Sequence, residues 1–159
     1  MPSCAHGDGT VIIEFRLATK DLDGPTIAEV YLQSFHTTLP SITLAHSDDE
    51  CRQHFSTTVI DEYETWSVVV DDEIVGFLAL SSDHIDHLYL RPDWTGNGIG
   101  QRCIELAKHR RPEGLELWAF AINEGARRFY ERHGFVAKYF GDGRDNEERE
   151  PDVLYVWSP

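Results

Sequence analysis

The chain has 159 residues, 41% hydrophobic and 26% charged, a size and composition that fit one soluble domain burying its own core. No apolar run approaches the roughly 18 to 20 residues that span a bilayer, and the opening MPSCAHGDGT lacks a basic segment followed by an apolar core, so neither a membrane span nor a secretory signal is expected. The net charge of −14 is uneven: residues 1–90 carry 16 acids against Arg16, Lys20 and Arg52, whereas residues 91–159 carry 12 acids against 11 bases. Phosphate contacts need a basic face, so nucleic acid is not an expected partner; a cationic partner for the first half is left open, beside the plainer reading that the charge serves solubility.

In chain order, VIIEFRLAT alternates, with Ile13, Phe15 and Leu17 on one face, and predicts a half-buried strand. TIAEVYLQSF sets Ile27, Val30, Tyr31 and Phe35 on one helical stripe. Ser47 and Glu50 form a capping-box pattern, and Cys51, Phe55 and Val59 then recur every four residues, predicting a second helix. TWSVVV, Asp71-Asp72 and EIVGFLAL read as an antiparallel hairpin, and HIDHLYL as a further strand. A helix carrying Ile99, Cys103 and Leu106 follows, then the strand LELWAF. Asn123 opens a helix with Ala126, Phe129, Tyr130 and His133 on one face, and Gly134 is placed to end it. FVAKYF and DVLYVW close the chain as strands around the polar loop GDGRDNEEREP. This order predicts an α+β domain over residues 1–159, with 1–10 flexible, built on a mixed, mostly antiparallel sheet of about seven strands and about four helices. The three scattered cysteines, Cys4, Cys51 and Cys103, suggest reduced thiols in a cytoplasm, and no spacing suggests a metal site.

The segment RPDWTGNGIGQRC places Gly96, Gly98 and Gly100 between a strand and a helix. It is not a P-loop, since no Lys-Ser/Thr pair follows. It is not a dinucleotide turn, since the spacing is G-x-G-x-G and Trp118 to Phe120 occupy the place of the downstream acid. Two readings remain from the residues alone: a structural tight turn, or an anion seat in which the free N–H groups of a helix N-terminus face a pyrophosphate.

HIDHLYLRPDWTGNGIGQRCIELAK followed by NEGARRFYERHGF resembles the GNAT superfamily of acetyl-CoA-dependent N-acetyltransferases, whose turn motif is [QR]-x-x-G-x-[GA]. Thr95 stands where the family usually has Gln or Arg, so a side-chain contact there must be made differently, while the backbone cradle is unaffected. The resemblance implies acetyl-CoA as co-substrate, with no metal. Its pantetheine arm would run beside Leu88, Tyr89 and Leu90, and its pyrophosphate would sit on the N–H groups of Asn97, Gly98, Ile99, Gly100 and Gln101; Thr95, Gly96, Asn123 and Phe129 would also meet the cofactor. Independently, Arg91, Arg102, Lys108, Arg110, Arg111, Arg127 and Arg128 are bases within reach of phosphates or, equally, members of solvated helix faces.

Acetyl transfer to an amine needs a neutral amine, a donor for the oxyanion and an acid for the leaving thiolate. Tyr130, two helical turns after Asn123, is implied as the acid, and the Leu88 N–H as the oxyanion donor. For the base, His84 ranks first, since some family members carry a base eleven residues before the motif; Asp86 ranks second and His87 third. A bulge in this strand would favour His87, and a water chain is the alternative to all three. The first two helices and the loop before the last strand would build the acceptor side. Asp48, Asp49, Glu50, Asp61, Glu62, Glu147, Glu148 and Glu150 there would favour a cationic amine. The leading expectation is an N-acetyltransferase acting on a small-molecule, lysine or N-terminal amine. A catalytically weak acyl-CoA-binding module of the same fold and a nucleotide-dependent oxidoreductase are the alternatives, and a homodimer is left open.

Overall fold

The computed structural model describes residues 11–159; the expected flexible start at 1–10 and Cys4 lie outside the described residues. Four strands form one antiparallel sheet in the order β1 (Glu14–Leu17), β2 (Glu64–Val70), β3 (Glu73–Leu80), β4 (Ile85–Leu90). The β2–β3 turn is made by Asp71 and Asp72, both at positive φ (52° and 65°), the mirror-type turn whose twist matches the strands it joins. Three more strands form a second antiparallel sheet, β5 (Leu115–Phe120), β7 (Asp152–Trp157) and β6 (Val136–Gly141), in the order β5-β7-β6. The seven expected strands are therefore present but divided, and the parallel contact between the sheets is one bridge, His84 to Glu116, where the Glu116 N–H also donates to the Asp83 carbonyl at 2.8 Å. Beyond that bridge β4 and β5 belong to different sheets, and a cleft lies between them.

β4 also carries one residue more than β3 can pair. Ala79 faces His87 and Leu80 faces Ile85, so Asp86 is the extra residue of a β-bulge.

Helices cover both faces of the first sheet. Along β3, Phe77 and Ala79 point to one side, Leu78 and Leu80 to the other, and all four are buried, as strands between two layers must be. On the first side lies α1 (Lys20–Thr38), with Ile27, Val30, Tyr31 and Phe35 all buried. It starts earlier than its apolar stripe because Asp23, 1% exposed, accepts from the Thr19 N–H at 3.0 Å and from Arg16 at 2.8 Å. The Ser47–Glu50 capping box forms in both directions. The helix after it is broken into α2 (Asp48–Gln53), a π-helical turn over His54–Thr58 and α3 (Val59–Glu62). Ser56 and Thr57 hydroxyls both reach back to the Gln53 carbonyl, the local competition that loosens a regular ladder. Cys51, Phe55 and Val59 are nevertheless all buried.

On the opposite side lies α4 (Ile99–Arg110), burying Ile99, Cys103, Ile104 and Ala107; Leu106 is only half-buried. α5 (Glu124–Arg132) packs by its Phe129 and Tyr130 against the core that Leu115, Leu117, Val153 and Tyr155 build. Leu17, expected inward beside Ile13 and Phe15, is 57% exposed at the end of the edge strand. Among the described residues no helix is long and apolar enough to cross a membrane.

Candidate active site

The cleft between β4 and β5 has a volume of about 1250 Å³, above the roughly 300–1,000 Å³ of an ordinary small-ligand pocket. One wall is β4 from Ile85 to Leu90 and the glycine turn; the other is β5 from Leu117 to Phe120 and the inner face of α5.

The turn begins with a single 3-10 turn, Pro92–Trp94, whose Trp94 is buried. Gly96 and Gly98 then take φ of 80° and 78°, the left-handed region that side chains disfavour. A Cβ added at either would meet no atom within 4 Å, so they are required by backbone conformation and not by packing. Gly98 caps α4 without a side-chain bond, and the first turn holds no acid. The Arg102 N–H bonds the Gly98 carbonyl at 3.3 Å, which leaves the N–H groups of Ile99, Gly100 and Gln101 without helical acceptors. Gly96, Gly98, Gly100 and Gln101 line the cleft. The Ile99 side chain instead is buried in the core, and Asn97 folds back, its Nδ2 donating to the Trp94 carbonyl at 3.3 Å. Thr95 lines the cleft but its hydroxyl donates to the Pro92 carbonyl at 3.0 Å, a bond within the turn that Gln or Arg would not make.

β4 is the edge of its sheet. The Arg91 N–H bonds the Val75 carbonyl at 2.7 Å, and antiparallel alternation from that pair turns the Tyr89 and His87 N–H groups to β3 and those of Leu88 and Leu90 to the open edge. Across the cleft, Asn123 caps α5 by accepting from the Ala126 N–H at 3.2 Å. Phe129 and Tyr130 line the cleft with it. Among the described residues the Tyr130 hydroxyl makes no hydrogen bond, and burial pushes its phenol pKa well above the ordinary value, so it keeps its proton at neutral pH.

The three base candidates separate. His84 does not line the cleft; its ring is held between Asp83 (Nδ1···Oδ1 2.9 Å) and Glu116 (Nε2···Oε1 3.4 Å) at the bridge between the sheets. His87 lines the cleft, but its ring lies 4.8 Å from that of Phe55 and 6.1 Å from that of Tyr89, and burial lowers its pKa to about 4. Asp86, the bulge residue, lines the cleft and has a buried Oδ2 with no hydrogen-bond partner among the described residues.

Most of the bases marked in the sequence are used in the structure. Arg110 and Arg111 clasp Glu64 at 2.6 and 3.0 Å. Arg91 pairs with Glu73 at 2.6 Å, Arg127 donates to the Tyr155 hydroxyl at 3.1 Å and Lys108 to the His133 carbonyl at 2.6 Å. Among the described residues the arginine on the cleft wall is Arg132, over the Phe129 ring at 6.0 Å. It was not among the marked bases, although its spacing of one turn from Arg128 put it on the same helix.

The acceptor end also differs from expectation. Asp48, Asp49, Glu50 and Asp61 pair with His36, Arg52, the Ser47 N–H and Lys20. Glu147 and Glu148 tie the β6–β7 loop to the α1–α2 loop, accepting from His46 (2.8 Å) and the Ala45 N–H (3.1 Å). The carboxylates that line the cleft there are Asp142, Asp145 and Asp152, beside Ser34, Phe35 and Phe120.

Residues 61–137 match the family model described as Acetyltransferase (GNAT) domain. The chain is 39% identical over 77 residues to the peptidyl-lysine N-acetyltransferase YjaB of Salmonella typhimurium, a match covering 48% of this chain and 52% of that protein; the chain thus spans about half the length of the curated relatives it matches first. The solution structure of apo-form YjaB from Escherichia coli superposes with a TM-score of 0.78 at 25% identity, covering 92% of this chain and 97% of that one. The PaiA N-acetyltransferase of Thermoplasma acidophilum, solved in complex with coenzyme A, shares the fold with a TM-score of 0.73 at 19% identity, covering 93% of this chain and 99% of that one.

Proposed function

We propose that this chain, which belongs to the GNAT superfamily, moves an acetyl group from acetyl-CoA to a primary amine by direct attack within the cleft between β4 and β5. The observation that carries the reading is a convergence. An uncapped helix N-terminus, a strand edge with outward N–H groups, and Tyr130 and Asp86, whose hydroxyl and Oδ2 have no hydrogen-bond partner among the described residues, all line one cavity.

The N–H groups of Ile99, Gly100 and Gln101, with the α4 dipole, receive the pyrophosphate, and Arg132 adds a cation from α5 on the opposite wall. The Leu90 N–H serves the pantetheine arm. The Leu88 N–H donates to the thioester oxygen as it gains charge. Asp86 takes the proton of the attacking ammonium: its free Oδ2 is a better partner for a cation than His84, held elsewhere, or His87, whose depressed pKa makes it a weak base at pH 7. The nitrogen then bonds to the acetyl carbon, the carbon–sulfur bond breaks, Tyr130 gives its proton to the departing thiolate, and the proton the nitrogen must still lose to become an amide returns to the tyrosinate, so that Asp86 alone passes a proton on to water. Asp142, Asp145 and Asp152 at the acceptor end favour a cationic amine. The name of the YjaB relative, a peptidyl-lysine N-acetyltransferase, supports lysine as the acceptor.

Thiol release from acetyl-CoA, measured with a panel of small amines, amino acids and lysine peptides, tests this. We expect saturable release that depends on the amine and favours cations. Saturable acetyl-CoA binding without release for any amine would make the chain an acyl-CoA-binding module instead.

A further inference from the structure

Among the described residues, one face of the second sheet meets a helix only at Phe120, which packs on Phe35 of α1. Leu117, Ala119, Val153 and Tyr155 point to the core beside α4 and α5. Their neighbours Trp118, Leu154 and Tyr139 share the other face, since Leu154 pairs with Trp118 on one side and Tyr139 on the other. Trp118 is 48% and Tyr139 56% exposed. Their rings meet edge to face at 6.2 Å, and neither makes a hydrogen bond within the described residues. A contiguous pair of large aromatics left half in water is the kind of patch that serves binding.

This surface is continuous with the cleft, for Trp118, Tyr139 and Phe120 all line it. Phe120 closes the acceptor end against Phe35, ring to ring at 6.2 Å. Trp118 lies two residues from Phe120 on the same face of β5, about 7 Å away at strand rise. An extended peptide has the same repeat, so a lysine entering beside Phe120 presents its second neighbour to Trp118. Carboxylates stand along the strip: Asp142 and Asp145 on the β6–β7 loop, Asp152 paired with Phe120, and Glu116 two residues before Trp118; Arg144 meets Asp142, Asn146 meets Asp152 and His84 meets Glu116, which leaves the strip acidic. A second copy of this chain would set these like charges against each other, whereas a basic peptide would complement them.

We propose that Trp118 and Tyr139 form a specificity subsite that takes an apolar or aromatic side chain two positions from the acceptor lysine in a basic peptide. The proposal rests on the acetyltransferase reading above and names its acceptor class.

The test uses blocked basic peptides with one lysine and Phe, Leu or Gly at the first or second position on either side. With the full chain, kcat/KM for the Phe peptide exceeds that for the Gly peptide by roughly tenfold, the order an aromatic contact with its buried area supplies, when the residue is two positions away on one side and not when it is adjacent. Trp118→Ala and Tyr139→Ala each bring that ratio toward one, a readout internal to each variant and insensitive to its overall activity. Equal kcat/KM across the wild-type series overturns the subsite, as does a preference that survives both substitutions. A dimer in light scattering that both substitutions dissociate also overturns it, assigning the face to a second copy. Transfer to free blocked lysine without peptide preference leaves the acetyltransferase reading standing and sinks this one alone; transfer to no amine sinks both.

Discussion

Gly100, in the first turn of α4, lies under the ring of Phe129 on α5: a Cβ there would stand 3.0 Å from Phe129 Cζ. The two helices that frame the cleft are spaced by a missing side chain. Gly100→Ala must push Phe129 outward, while alanine recovers about 0.5–1 kcal/mol of helix propensity. We therefore expect nearly unchanged thermal stability but several-fold weaker acetyl-CoA binding by calorimetry, restored by adding Phe129→Leu. Wild-type affinity in Gly100→Ala alone would separate Phe129 from the cofactor wall.

Tyr130→Phe keeps the ring that packs at 5.7 Å on Phe135 and 6.4 Å on Tyr155 and removes a hydroxyl that bonds no described residue. Stability and acetyl-CoA affinity should hold while turnover falls by roughly one to four orders of magnitude, the range for a lost general acid. Undiminished single-turnover transfer would remove Tyr130 from the chemistry.

Asp86 and His84 give opposite predictions. Asp86→Asn keeps the shape but cannot accept a proton, so kcat/KM for a cationic amine should drop roughly 100-fold or more. His84→Gln should leave kcat/KM within a few-fold and instead lower the melting temperature, because His84 joins Asp83 and Glu116 where the sheets meet. A pH–rate profile of each variant distinguishes the roles; loss of the acidic limb in His84→Gln but not in Asp86→Asn would reverse the assignment.

His87 makes the fold acid-sensitive. Burial, then the nearby His54, lowers its pKa from 6.5 to about 4. Between those values the unfolded chain binds the proton and the folded chain does not, so stability falls as pH falls through this window and the loss is complete below it. The shift corresponds to on the order of 3 kcal/mol. Denaturant unfolding of wild type and His87→Phe from pH 7 to pH 4 should diverge by about that amount, with the wild type losing more. Parallel curves would mean that His87 is protonated in the folded state.

The element order was legible in the sequence because periodicity and turn chemistry are local: the Ser47 box, the Asp71-Asp72 turn and the apolar stripes of α1 and α4 each need only their own neighbours. The glycine turn was legible for the same reason, since φ at Gly96 and Gly98 is a backbone demand. What escaped depends on register and distance along the chain. The bulge at Asp86 exists only relative to Ala79 and Leu80 on another strand, and Asp86 and His87 both line the cleft around it. His84 is the base expected first from HIDHL, but Glu116, 32 residues away, meets its second nitrogen. The acidic loop read as an open mouth, yet Glu147 and Glu148 reach residues about a hundred positions earlier. The division into two sheets is likewise a property of pairing and not of any one strand.

The central claim is that this cleft transfers acetyl to an amine nitrogen. Its most direct test is the mass of a blocked lysine peptide after incubation with acetyl-CoA and either the wild-type chain or Tyr130→Phe. We predict one acetyl group on the lysine for each thiol released by the wild type, and a markedly slower reaction by the variant at equal acetyl-CoA occupancy. Thiol release without acetylated peptide, or equal product from both proteins, would contradict the account.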